Sequence, residues 1–97
     1  MSFAYTSSAW LLGSTSGKAT EDAQVRPTAL VDWRPEHGKV VLDAGRGRTL
    51  RTAVVRPGVV YGEGRGIVAE MLKSAADGLI RVIGDWACVY ERDLADL

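Results

Sequence analysis

Apolar and polar positions divide the chain into short extended stretches and helical ones. Phe3-Ala4-Tyr5-Thr6 reads as a short strand, closed by Ser7-Ser8. A strand with so little ahead of it predicts a cut edge. Gly13 to Thr28 is polar, with glycines, serines, threonines and a proline. It reads as a loop of roughly 15 residues, longer than an ordinary connection and therefore functional or mobile. A helix is predicted from Trp33 to Ala44. Asp32 is placed to cap it, Pro35 sits in its first turn, and Glu36 lies near its positive end. Val40, Val41 and Ala44 recur at helical spacing and are assigned to its buried side. Gly45-Arg46-Gly47 ends it.

Leu50 to Arg56 is short, apolar and rich in β-branched residues. Bounded by Gly47 and Pro57, it suits a strand buried on both faces, as in a parallel sheet. Pro57-Gly58-Val59-Val60-Tyr61 follows, then a glycine loop, Gly62-Glu63-Gly64-Arg65-Gly66. A second helix is predicted from Ile67 to Ala76, with Ile67, Met71, Leu72 and Ala75 on one stripe and Asp77-Gly78 as its stop. Ile80-Arg81-Val82-Ile83 alternates as a strand. Asp93 to Leu97 reads as the opening of a further helix. No internal repeat is visible. Strand, helix, strand, helix, strand predicts an α/β layer of parallel strands.

Composition narrows the classes. The 97 residues carry 12 basic and 12 acidic side chains, for a net charge of zero. That balance supplies no electrostatic attraction to nucleic acid or to an anionic membrane. With 46% hydrophobic and 25% charged residues, the chain has globular composition. Its length permits one small domain. No apolar run approaches the roughly 20 residues of a membrane span. Met1 to Thr6 lacks the basic and apolar regions of a secretion signal. The single cysteine, Cys88, excludes an internal disulfide and fits a reducing cytoplasm, the expected location. One histidine and one cysteine argue against a protein-only zinc site.

Four local patterns imitate chemistry. Gly13 to Thr20 resembles a phosphate-binding P-loop, but three residues separate its glycines where four are needed, and Ala19 stands where a hydroxyl must follow Lys18. A polar surface loop explains it better. Gly62-x-Gly64-x-Gly66 imitates a dinucleotide fingerprint, with Asp85 as the ribose-binding acid, but only Arg65 precedes the third glycine where two residues belong. A turn beside a cleft is the better reading. Ser8, His37 and Asp43 supply the residue types of a nucleophilic triad, yet Ser8 is outside any Gly-x-Ser-x-Gly elbow and His37 reads as an exposed helical residue. Cys88, within Trp86-Ala87-Cys88-Val89, reads as an inert packing residue.

Taken in order, the segments resemble one family. Tyr5-Thr6-Ser7-Ser8-Ala9-Trp10-Leu11-Leu12-Gly13 is similar to the strand-end segment of the NAD-dependent epimerase/dehydratase family, the extended short-chain dehydrogenases/reductases. Glu21-Asp22 and Pro27 are similar to its Thr-Glu-Asp loop. Val54 to Gly64 carries the most specific match, Arg56-Pro57-Gly58-Val59-Val60-Tyr61-Gly62-Glu63-Gly64 against the family's Arg-Pro-Gly-x-Val-Tyr-Gly-x-Gly. Ile83-Gly84-Asp85 and Asp93-Leu94-Ala95 resemble later segments. The resemblance spans nearly all 97 residues.

It implies a partial NAD(P)-binding Rossmann-like domain over residues 1–97, an incomplete parallel sheet of about three strands with flanking helices. It also implies NAD or NADP as cofactor and a small-molecule substrate, a nucleotide sugar or similar alcohol. Family members use a tyrosine as acid/base, its pKa lowered by a lysine four residues on, while nicotinamide moves a hydride. The family's substrate-orienting hydroxyl matches Ser8, with Ser7 beside it. The tyrosine falls on Leu30 and the lysine on Arg34. Leucine has no ionisable group; arginine keeps the cation and can hold a ribose hydroxyl. Trp33 and His37 in those places give no better pair. Pro57, Gly58 and Val59 match the segment near the nicotinamide, and Tyr61 lines the substrate cleft. The family's opening strand and glycine-rich loop have no counterpart in these residues, which predicts the central portion of an enzyme, cut or decayed. Two functions follow: a fragment or degenerate member of the family, or a non-catalytic module that associates with itself or with the missing N-terminal half.

Overall fold

The computed structural model describes residues 1–47, 49–78 and 85–97. They form two compact units, Met1–Arg56 and Pro57–Leu97.

In the first unit, β1 (Ser2–Thr6) and β2 (Arg51–Val55) pair in parallel, from Ser2 opposite Arg51 to Thr6 opposite Val55. Parallel neighbours require a long crossover. Here it contains two 3₁₀ turns, Ala9–Leu12 and Ala29–Val31, and the helix α1 (Arg34–Ala44). The expected loop between Gly13 and Thr28 is pinned near its far end. The Arg26 N–H donates to the Leu11 carbonyl at 2.8 Å, and the Thr28 N–H to that of Trp10 at 3.5 Å. Leu11 and Val31, one from each 3₁₀ turn, are the unit's buried large apolar side chains among the described residues.

α1 begins as the sequence suggests, with Pro35 and Glu36 in its first turn. Proline lacks an N–H that would be unpaired there, and the carboxylate faces the helix's positive end. Asp32, however, ends the preceding 3₁₀ turn, and Trp33 takes the capping position without a side-chain hydrogen bond. The buried side also differs from expectation. Val40 and Ala44 are exposed, while Gly38 is buried and Val41 half-buried. A Cβ added at Gly38 would stand 3.8 Å from Val54 Cγ1, and one at Gly45 would strike Thr52 Oγ1. The helix therefore seats on β2 through Gly38, Val41 and Gly45. Two glycines of that face carry no hydrophobic signal, so counting apolar residues selects the wrong stripe.

The expected burial of β2 on both faces is not found. Arg51 and Ala53 are exposed, whereas Thr52, Val54 and Val55 are half-buried. The alternation shows one covered face, the one under α1.

In the second unit, β3 (Val59–Tyr61) and β4 (Cys88–Tyr90) also pair in parallel, Val59 opposite Cys88 and Tyr61 opposite Tyr90. α2 (Gly66–Ala76) packs against β3, and α3 (Glu91–Ala95) follows β4. Val59 is the buried apolar side chain. The half-buried positions of α2 are Val68, Ala69, Met71 and Ala75. Ile67 and Leu72, placed on the buried stripe by spacing, are exposed. The helix is rotated so that Val68 rather than Ile67 leads the inner face. Asp77 caps the helix and Gly78, at φ 90°, ends it as read. The strand read at Ile80–Ile83 lies outside the described residues.

The fold is thus mixed α/β. Among the described residues, parallel strands form two pairs, where the sequence suggested one sheet of about three. No helix of the described residues is long and apolar enough to cross a membrane.

Candidate functional site

The first unit collects the polar groups of interest at the carboxyl end of β1 and β2. Beyond Thr6, the Ser7 N–H donates to the Val55 carbonyl at 2.7 Å, extending the ladder by one rung. This rung holds Ser7 at 4% exposure. Ser8 is extended, at φ −153° and ψ 144°, and its Oγ accepts the Trp10 N–H at 3.1 Å. Ser8 therefore caps the first 3₁₀ turn. Its oxygen is used as an acceptor, and its O–H remains a donor.

α1 runs antiparallel to β2, since Gly38 lies against Val54 and Gly45 against Thr52. Its first turn, which holds Arg34, consequently lies toward the carboxyl end of β2. Open α/β sheets bind ligands at this end of their strands. Two buried side-chain atoms here have no hydrogen-bond partner, Ser7 Oγ and Arg34 Nε. A buried polar group left unpaired costs about 1–3 kcal/mol, more for a charged one.

Arg34 has a neighbour that spacing left unassigned. Its Cζ lies 5.0 Å from the centroid of the Trp33 ring. His37 meets the same ring edge-on, centroids 5.0 Å apart and planes at 67°. Trp33 and His37 are four apart, so one helical turn stacks them, and the adjacent guanidinium makes a cation–π contact. The i, i+4 spacing was the available signal. His37 is exposed, as read.

Leu30 is 70% exposed and belongs to the 3₁₀ turn Ala29–Val31. Arg34 opens α1. The two positions matched to the family's acid/base pair thus lie on different elements, with Asp32 and Trp33 between them. Asp32 and Trp33 keep right-handed helical dihedrals, so the backbone turns on from the 3₁₀ segment into α1. The arrangement supplies a hydroxyl donor and a fixed cation, and Leu30 offers no group that exchanges a proton.

The other matched residues belong to the second unit. Pro57 and Gly58 are half-buried and Val59 is buried. A Cβ on Gly58 would collide with the Ala87 carbonyl oxygen. That same oxygen accepts the Val59 N–H at 2.8 Å. Glycine at 58 is thus required by β4's approach to β3. Tyr61 is exposed, its ring 5.5 Å from that of Tyr90 and inclined at 37°.

The Gly62–Gly66 loop leads into α2. Glu63 holds φ 49° within it, a conformation uncommon outside glycine. A Cβ at Gly62 would stand 2.5 Å from Glu91 Cδ and 2.9 Å from its Oε1. Glu63 reaches Arg65 at 3.8 Å, with both side chains exposed. Two carboxylates thus flank the loop against one arginine, and they oppose a dianionic pyrophosphate.

Cys88 departs from its reading. It is exposed on β4, its Sγ 3.7 Å from the Trp86 carbonyl oxygen. The apolar neighbours in sequence alternate along an edge that leaves this side chain uncovered. Among the described residues, no three histidine, cysteine or carboxylate groups stand close enough to hold a metal ion. No family model matches the chain, and neither a curated protein nor a solved structure matches it.

Proposed function

We propose that the chain is a degenerate relative of the NAD(P)-dependent epimerases, dehydratases and reductases, one that keeps a substrate-orienting strand end and has lost the proton-transfer pair. The observation that supports this reading is the position of Ser7 and Ser8 just beyond β1, with Ser7 bonded to the last residue of β2, while Arg34 opens the helix that packs on β2. By the resemblance, Ser8 donates its hydroxyl to an alcohol or carbonyl oxygen of a nucleotide sugar or similar molecule, Ser7 sits beside it, and Arg34 holds a ribose hydroxyl. Pro57, Gly58 and Val59 are the matched nicotinamide contacts and Tyr61 a substrate contact. Leu30 leaves the proton step without an agent. The Gly62–Gly66 loop supports no pyrophosphate, so no redox step is assigned to these residues. A second reading, a partner-binding module without catalysis, is favoured by the 70% exposure of Leu30 at the acid/base position.

Hydride transfer tests the proposal, with NAD(H) or NADP(H) in excess of about millimolar and a panel of nucleotide sugars. The unaltered chain should show no turnover. Joined to an N-terminal half that carries the family's glycine-rich loop, Leu30→Tyr with Arg34→Lys should gain activity that Leu30→Phe with Arg34→Lys does not. Proton transfer by a placed side chain contributes about 10²–10⁴-fold, so the two double variants should separate clearly. Turnover by the unaltered chain that Tyr61→Phe abolishes would overturn the proposal. Two double variants of equal activity would overturn the placement of Leu30.

A further inference from the structure

No further inference is drawn: the strongest candidate, the buried unpartnered Ser7 Oγ and Arg34 Nε at the carboxyl end of the β1–β2 pair, belongs to the site already described.

Discussion

Replacing Gly13 by alanine should loosen the strand end that carries Ser7 and Ser8. Gly13 ends the 3₁₀ turn that Ser8 begins, at φ 63° and ψ −151°. That region of backbone space is essentially reserved for glycine, and forcing another residue into it costs about 1–3 kcal/mol. The new Cβ would also stand 2.5 Å from the Arg26 carbonyl oxygen and 3.6 Å from Arg26 Cβ. Arg26 cannot retreat freely, because its N–H donates to Leu11 at 2.8 Å. Losing that bond adds about 1 kcal/mol. The sum, about 2–4 kcal/mol, is a large part of the roughly 3–8 kcal/mol expected of a unit the size of Met1–Arg56. Native-state hydrogen exchange at the Ser7 and Arg26 amides reads the effect directly. At 1.4 kcal/mol per tenfold, exchange should quicken by about 30- to 700-fold, or reach the unprotected rate if the unit is less stable than that. Gly17→Ala is the control. Gly17 has φ 82° but nothing within 4 Å of a new Cβ, so only strain of about 1–2 kcal/mol operates and exchange should quicken by no more than about 5- to 30-fold. Equal exchange in the parent and in Gly13→Ala would rule out this role for Gly13. So would equal acceleration by the two substitutions.

The seating of α1 predicts opposite signs at two glycines. Gly38→Ala should stabilise by about 0.5–1 kcal/mol, because its Cβ meets Val54 at ordinary contact distance and alanine favours the helix. Gly45→Ala should destabilise by about 1–3 kcal/mol through collision with Thr52; urea midpoints of both variants check the pair. Cys88, exposed on β4, should react with a thiol reagent in the native state at the rate of the unfolded chain, and a lag set by unfolding would contradict its exposure. The Glu70–Lys73 pair, 3.0 Å apart with both side chains exposed, should contribute under about 1 kcal/mol by double-mutant cycle. The Val59 amide should exchange faster than the Ser7 amide, since β3–β4 pairs three residues where β1–β2 pairs five and Val59 is the second unit's buried apolar residue among those described.

Local punctuation made much of the fold legible. Pro35 and Glu36 mark the start of α1, Asp77-Gly78 the end of α2, and the β-branched run at Thr52–Val55 the strand β2. The faces were less legible. Helical spacing ranks positions by hydrophobicity, but α1 approaches β2 where side chains are missing, at Gly38 and Gly45, and no apolar count detects a close approach. Strand β3 was equally hard to isolate. Val59–Tyr61 is three residues long, and its partner, Cys88–Tyr90, lies far along the chain. Parallel pairing of such short segments leaves no local signal. At the site, Ser7 and Ser8 could be read from their position after a strand. The placing of Leu30 on a 3₁₀ turn ahead of α1 could not. Nor could the contact of Glu91 with Gly62, which the register of Tyr61 opposite Tyr90 brings about.

If the chain is a relative of the family that lacks a phosphate cradle, as proposed, NAD⁺ and NADP⁺ should bind it weakly, which titration of the chain while following its amide signals measures. A glycine loop at a helix N-terminus is what ordinarily grips the pyrophosphate. Here the glycine loop before α2 contains Glu63 and lies against Glu91. Dissociation constants above about 1 mM, less than about 4 kcal/mol of binding, are expected. Micromolar binding that shifts Gly62, Gly64, Gly66 and Asp85 would contradict the proposal, because those residues would then form a working dinucleotide site.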